Sequence, residues 1–296
     1  MIKVLKNLFV PGGSYKMWKC IIALRSRVIL NRRIRRHWKY IQNHRKINEI
    51  VEKSVWGVSY SVFDGEELLE ASLKSIRDSV DYVNVVYQKH SWYGKSANPQ
   101  LLPLLKRLQK SGLIDDLIEY IPNYKMRAGK QETLKRNIGL KYAKKRGVDY
   151  FMCMDTDEFY IKQEVEKAKN YIVKHSVSRS FCPVVAYISP TCRMFGSGGY
   201  VQFFSRIGLL SKLKQNRHNV ALVDPTRQLN HLPFVKYFVL PSLEMHHMTG
   251  VRKDINKKFI NSSFNSVNNI NAEDFYKKLS SNCITVPNMF KIKGIK

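Results

Sequence analysis

The chain has 296 residues, room for one large α/β domain or two modest ones. With 44% hydrophobic and 25% charged residues it is an ordinary globular composition, which excludes a low-complexity or collagen-like chain. Lysine and arginine number 51 against 23 acids, and the resulting net charge of +28 points to polyanionic partners: nucleic acid, phosphorylated substrates or anionic membranes.

The five cysteines, Cys20, Cys153, Cys182, Cys192 and Cys283, are odd in number and widely spaced, with no C-x-x-C pair. They read as reduced thiols of a cytoplasmic protein. No apolar run approaches the roughly 20 residues of a membrane-spanning helix, and the one at Ile21 to Leu24 is stopped by Arg25. Lys3 and Lys6 are not followed by an apolar segment and a small-residue cleavage site, so no secretory signal is expected. The expected location is the cytoplasm, with peripheral attachment to the inner face of the cytoplasmic membrane as an extension of that reading.

Residues 1–53 hold 14 Lys/Arg and only Glu49 and Glu52 as acids. Arg32, Arg33, Arg35 and Arg36 stand among Trp18, Ile29, Leu30 and Trp38, a mixture suited to an interfacial helix on anionic lipid, or to a solvated basic arm. This segment is taken as a basic, helical N-terminal extension.

From Val55 the pattern becomes regular. "VWGVSYSVF" is an apolar, β-rich run ending at Asp64-Gly65 and reads as a buried strand. "EELLEASLKSIRDS" places Leu69, Leu73 and Ile76 at helical spacing, with Asp64 positioned as a cap. "YVNVVY" is a second strand, and Pro99 opens a helix closed by Gly112, with an irregular first turn at Pro103. "DLIEYI" is a third strand. After Pro122-Asn123, Lys130 to Arg146 form a basic helix with Leu134, Ile138 and Tyr142 on one stripe, stopped by Gly147. "DYFMCM" is a fourth strand. Strand and helix alternating in this way predict an α/β fold, a mostly parallel sheet flanked by helices, with ligands at the carboxyl ends of the strands.

The fourth strand ends in Asp155-Thr156-Asp157-Glu158. Side chains at i and i+2 of an extended segment share a face, so Asp155 and Asp157 can converge on one cation. Mg²⁺ and Mn²⁺ are commonly held by one or two carboxylates plus substrate phosphates. An acidic strand end is also an ordinary helix cap.

The segments "VSYSVFDGEELLEASLKSI", "YVNVVYQKHSWYGK" and "GKQETLKRNIGLKYAKKRGVDYFMCMDTDEFY" resemble the nucleotide-sugar-binding half of GT-A fold glycosyltransferases, most of all family 2 and its bacterial relatives acting on surface polysaccharides. The likeness covers about residues 55–160 and includes Arg136-Asn137 ahead of the Asp-x-Asp strand. It implies a GT-A-like, Rossmann-like domain in which residues 54–160 form the donor half and 161–296 the acceptor half with a basic tail. It also implies a nucleotide-sugar donor as co-substrate, bound against the first strands near Ser59, and Mn²⁺ or Mg²⁺ on Asp155 and Asp157. Many family members carry an Asp after the second strand near the base. Gln88 stands in this stretch here, and its amide can both donate to and accept from a base edge.

In the second half a helix is expected from Lys162 to His175, then strands at "FCPVVAYIS" and "YVQFFSRI" around a glycine turn at Gly196 to Gly199. His246-His247 in "LEMHHMTGVRKDINKKF" could complete a metal site; in an extended segment the two rings point oppositely, so at most one serves. Among the cations, Arg252 is the candidate for the diphosphate, in competition with Lys130 and Arg136, while Lys253, Lys257 and Lys258 read as a solvated face. An inverting transfer needs a base, for which Asp224 in "VDPTR" and Glu244 are the candidates out of Glu164, Glu166, Asp224, Glu244, Asp254, Glu273 and Asp274, with Glu158 as a further possibility. The expected function is a metal-dependent glycosyltransferase moving a sugar to a glycan or lipid-linked acceptor in bacterial surface polysaccharide synthesis. The alternative is a metal-dependent nucleic-acid-binding protein or nuclease; without a recognisable motif, nucleic acid is not the expected partner.

Overall fold

The computed structural model describes residues 45–195, 199–215, 224–230, 237–240, 242–261 and 283–292. The arginine-rich stretch between Trp18 and Trp38, Cys20, Gly196, Gly198, Glu273 and Asp274 lie outside them.

Helix α1 (Arg45–Lys53) leads into strand β1 (Trp56–Val62), followed by α2 (Glu66–Ile76), β2 (Tyr82–Tyr87), α3 (Leu101–Lys110), β3 (Asp116–Glu119), α4 (Ala128–Lys145) and β4 (Tyr150–Met154). β1, β2 and β4 are buried almost throughout, as their largely apolar runs require for a sheet covered on both sides. α2 buries Leu69, Leu73 and Ile76 as their spacing predicts. Pro103 falls in the first turn of α3, where its missing N–H costs no intrahelical bond.

These strands lie parallel in the order β3-β2-β1-β4, with Gly57 opposite Tyr82 and Trp56 opposite Tyr150. The second half extends the sheet with antiparallel neighbours. β8 (Tyr200–Arg206) pairs with β4, then come β6 (Arg179–Ser189), β7 (Cys192–Met194) and β13 (Cys283–Thr285). β9 (Lys212–Lys214) and β10 (Gln228–Asn230) form a separate pair, and β11 (Tyr237–Val239) runs parallel to the start of β6. α5 (Lys162–Lys174) covers this half and contacts α1, whose Ile47 is buried in the main core with Trp56, Tyr150 and Ile172. A parallel half continued by antiparallel neighbours is the GT-A-like α/β architecture that the resemblance implies. Among the described residues no helix is long and apolar enough to cross a membrane.

Three local expectations are corrected. The stripe Leu134, Ile138, Tyr142 is not the buried face of α4; Leu134 is exposed, and the helix instead buries Gln131, Lys135, Arg136, Gly139, Leu140 and Ala143. Asp64 does not cap α2: Gly65 takes that position with φ 75°, and the Asp64 carboxylate is held by Arg252 at 2.7 Å. Nor are all the cysteines reduced. Cys192 and Cys283 form a disulfide with Cα atoms 5.7 Å apart, tying β13 to β7, while Cys153 and Cys182 are free and buried.

Candidate active site

The short strand β12 (Met245–His247) runs parallel to β6 and antiparallel to β5 (Glu158–Phe159), in a register that sets His247 opposite Glu158. This pairing carries the His-His segment to the Asp-x-Asp turn at the carboxyl edge of β1 and β4. Met248 N–H then donates to the Asp157 carbonyl at 2.7 Å and locks the two segments together.

β4 ends at Met154, so Asp155 and Asp157 lie in a turn rather than on one strand face, and their carboxylates take separate partners. Asp155 accepts from Arg136 Nη2 at 3.0 Å and from Arg227 Nη2 at 2.7 Å. Asp157 Oδ2 accepts from Arg252 Nε at 3.0 Å and Thr249 Oγ1 at 3.1 Å, and is also met by Lys258 Nζ. Burial opposes ionisation of both, but Arg136 and Arg227 hold Asp155 below the usual carboxylate range, and Arg252, Lys258 and His247 hold Asp157 far below it.

The remaining members close the network. Asp224 accepts from Arg136 Nη2 at 2.8 Å and Arg227 Nε at 2.7 Å; burial opposes its ionisation, but these charges outweigh it and keep the carboxylate charged. Glu158, 1% exposed, is gripped by both terminal nitrogens of Arg227, and burial pushes its carboxyl up. Glu132 pairs with Arg136 at 2.8 Å. Four cations, Arg136, Arg227, Arg252 and Lys258, thus face six carboxylates, those of Asp64, Glu132, Asp155, Asp157, Glu158 and Asp224.

The two histidines do part to opposite sides. His246 is buried, shares a hydrogen bond with Tyr187 Oη at 3.0 Å and lies 5.2 Å edge-on to Phe290; burial lowers its pKa to about 4. His247 Nε2 stands 3.6 Å from Asp157 Oδ2. A divalent ion fits the place beside His247 on two grounds. Asp157 Oδ1 is a buried acceptor without a hydrogen-bond partner, and the network carries an excess of carboxylates over cations. Among the described residues no three His, Cys, Asp or Glu side chains gather as a complete ligand set, so substrate oxygens would have to complete the shell.

Of the two expected bases, Asp224 is clamped between guanidinium groups, and Glu244, just before β12, is paired with Arg193 at 2.9 Å outside the cluster. Ser59 lies mid-strand beneath Gly139 of α4, and Lys130 is exposed on the first turn of α4. Gln88 is fully buried at the end of β2; its Nε2 donates to the His90 carbonyl at 2.8 Å, while its Oε1 has no partner.

Three participants escaped the sequence. Arg227 bridges Asp155, Glu158 and Asp224, and only its place in "VDPTR" hinted at it. Lys258 reads as one of several solvated lysines but reaches Asp157. Lys135, 1% exposed, donates to the Val62 carbonyl at 2.8 Å and sits 5.6 Å over the Trp92 ring; burial lowers its pKa to about 7.

No family model and no curated protein matches the chain. Among solved structures it is similar to S. aureus TarS 1–349, with 12% identity over 74% of this chain and 67% of that one and a TM-score of 0.43. TarS 1–349 in complex with UDP-GlcNAc gives 16% identity, 45% and 35% coverage and a TM-score of 0.35. GalNAc-T7 with UDP, GalNAc and Mn²⁺ gives 12%, 68% and 45% coverage and 0.41. The chain spans 22% of the length of the longer TarS structure. Likeness this distant leaves the functional argument to the chain's own residues.

Proposed function

We propose that the protein is a glycosyltransferase that uses a nucleotide sugar and a divalent ion to extend a glycan or lipid-linked glycan in surface polysaccharide synthesis. The observation that carries this reading is Asp157. One of its oxygens is buried and unpartnered, His247 is beside it, and Arg252 and Lys258 bring positive charge to the same point at the carboxyl edge of the sheet.

In this reading Asp157 and His247 hold the ion, with Asp155 next to them. When bound, the ion supplies positive charge to the departing nucleoside diphosphate. Arg252 and Lys258 add fixed charge where the leaving oxygen becomes negative, in a buried setting where such charge acts strongly. Arg136 and Arg227 orient Asp155, Glu158 and Asp224 as one rigid frame. In this reading the donor base lies at the end of β2, where the half-buried ring of Trp92, beside Lys135, offers a stacking face, and the buried Oε1 of Gln88 serves as its acceptor only once the amide turns outward. In the same reading the acceptor takes the cleft of about 560 Å³ lined by Glu66, Glu67, Asn98, Gln100, Pro103, Leu104, Arg107 and Lys253, whose polar side chains can meet sugar hydroxyls.

The test is thermal stabilisation by nucleoside diphosphates and nucleotide sugars, with and without Mn²⁺. A ligand at 100 times its Kd adds about 2.7 kcal/mol to stability. A metal-dependent shift with one base supports the reading; stabilisation by short oligonucleotides and by no nucleotide would sink it.

A further inference from the structure

The edge of the sheet opposite the candidate site holds a feature that the reaction does not use. After β8 the chain makes a tight turn, Gly208 to Ser211, closed by Ser211 N–H to the Gly208 carbonyl at 3.0 Å and Gly208 N–H to Ser211 Oγ at 2.9 Å. Its tip presents Leu209 and Leu210, 96% and 82% exposed. Single exposed leucines are ordinary. Two in succession, on a turn held rigid by Lys144, are not: Lys144 Nζ donates to the Leu209 carbonyl at 2.9 Å and the Ser211 carbonyl at 2.6 Å.

Cations surround this tip. Arg206 precedes it, and β9 buries Leu213 while turning Lys212 and Lys214 outward. The end of α4 adds exposed Lys141 and Lys145. Of the nearby acids, Asp116 is matched by Arg146, and Asp149 accepts from the Val55 N–H. Ile207 N–H donates to the Asp149 carbonyl at 2.8 Å and Asp149 N–H to the Val55 carbonyl at 2.8 Å, so the turn stands beside the start of β1.

We propose that this edge, led by Leu209 and Leu210, is a docking surface for an anionic lipid bilayer. Leucines at a convex tip enter the headgroup boundary while flanking lysines meet anionic headgroups, a pairing of apolar and basic groups that a nucleic acid would not reward. The candidate site then faces away from the bilayer, set off by at least the length of β4, about 17 Å at ~3.3 Å per residue. A lipid-linked acceptor would have to present its glycan end at that height. The inference does not depend on the transferase reading, since nucleotide binding is scored separately.

The test is co-sedimentation of the full chain with vesicles of phosphatidylcholine alone or mixed with phosphatidylglycerol. Wild type should bind only the anionic vesicles, less as salt rises. Leu209→Ser with Leu210→Ser should weaken binding roughly tenfold or more, from the apolar area no longer buried, with nucleotide-induced stabilisation unchanged. Leu209→Trp should give a blue-shifted emission on binding. Equal binding by the double variant, an unshifted emission spectrum for bound Leu209→Trp, or no vesicle binding by wild type would each overturn the proposal.

Discussion

Arg252 donates from Nε to Oδ2 of Asp157 at 3.0 Å, with both side chains almost wholly buried, and reaches Asp64 with Nη1 at 2.7 Å. One guanidinium thus fastens the Asp-x-Asp turn to the end of β1. Removing one partner of a buried pair leaves an uncompensated charge, at a cost of about 3–5 kcal/mol. Arg252→Ala should lose stability on that scale in urea denaturation. Arg252→Lys should be intermediate, because an ammonium cannot span both carboxylates as the fork does. A loss under about 1 kcal/mol for Arg252→Ala, the size of an exposed pair, would mean that the pairing does not persist in solution.

The adjacent histidines should separate cleanly. His247→Ala should weaken Mn²⁺ binding, read by titration calorimetry without any sugar donor, as should Asp157→Asn in a chain that stays folded. His246→Ala should leave the metal titration unchanged and instead lower stability by about 1–3 kcal/mol, through the lost bond to Tyr187 Oη. The reverse pattern would assign the site to the other face of β12.

Much of the parallel half was legible because strand burial is written locally: β1, β2 and β4 are apolar runs bounded by turn residues. α4 was misread for a physical reason. Its buried face includes Gln131, Lys135 and Arg136, polar groups made tolerable by partners distant in sequence, Asp155 and Asp224 for Arg136 and the Val62 carbonyl for Lys135. A periodicity argument scores such a face as solvent. Arg227 was hidden likewise, since nothing near it in sequence marks it as the partner of Glu158, 69 positions away. Asp155 and Asp157 were singled out because the strand-end rule needs no knowledge of partners, and that rule could not foresee that the turn splits the two carboxylates.

Lys135 makes stability depend on pH in a stated direction. Burial lowers its folded pKa to about 7, whereas an unfolded lysine titrates near ~10.4. Between these values the unfolded chain binds more protons, so the Lys135 contribution makes stability rise with pH from about 7 upward. Lys144 and Lys258 shift the same way, so the difference between variants is the measurement. Lys135→Met should be more stable than wild type near neutral pH or below, with the gap closing toward pH ~9–10. A gap constant across that range would mean that Lys135 is fully charged when folded.

The disulfide predicts that mass spectrometry under non-reducing, denaturing conditions finds three alkylatable thiols out of five, those of Cys20, Cys153 and Cys182. Reduction should release β13, which β7 otherwise holds through three residue pairs, and amide exchange should rise at Cys283–Thr285 while β1 and β4 stay protected. Five alkylatable thiols in protein isolated without reductant would restore the reduced reading, which is the ordinary state in a reducing cytosol.

Ser59 and Gly139 test the packing beneath the site. A Cβ at Gly139 would fall 1.8 Å from Ser59 Oγ and 2.8 Å from Ser59 Cβ, far inside contact distance, so α4 can lie on β1 only because this helical position has no side chain. Gly139→Ala should cost about 1–3 kcal/mol from overpacking, despite alanine's better helix propensity. Because α4 also carries Arg136 to Asp155 and Asp224, the displacement should reach the candidate site and weaken nucleotide binding. Adding Ser59→Gly removes both clashing atoms and should recover most of the lost stability, a coupling that a double-mutant cycle reads directly. If the two changes are additive instead, the helix does not rest on the strand at this point, and Ser59 returns as a residue open to the donor.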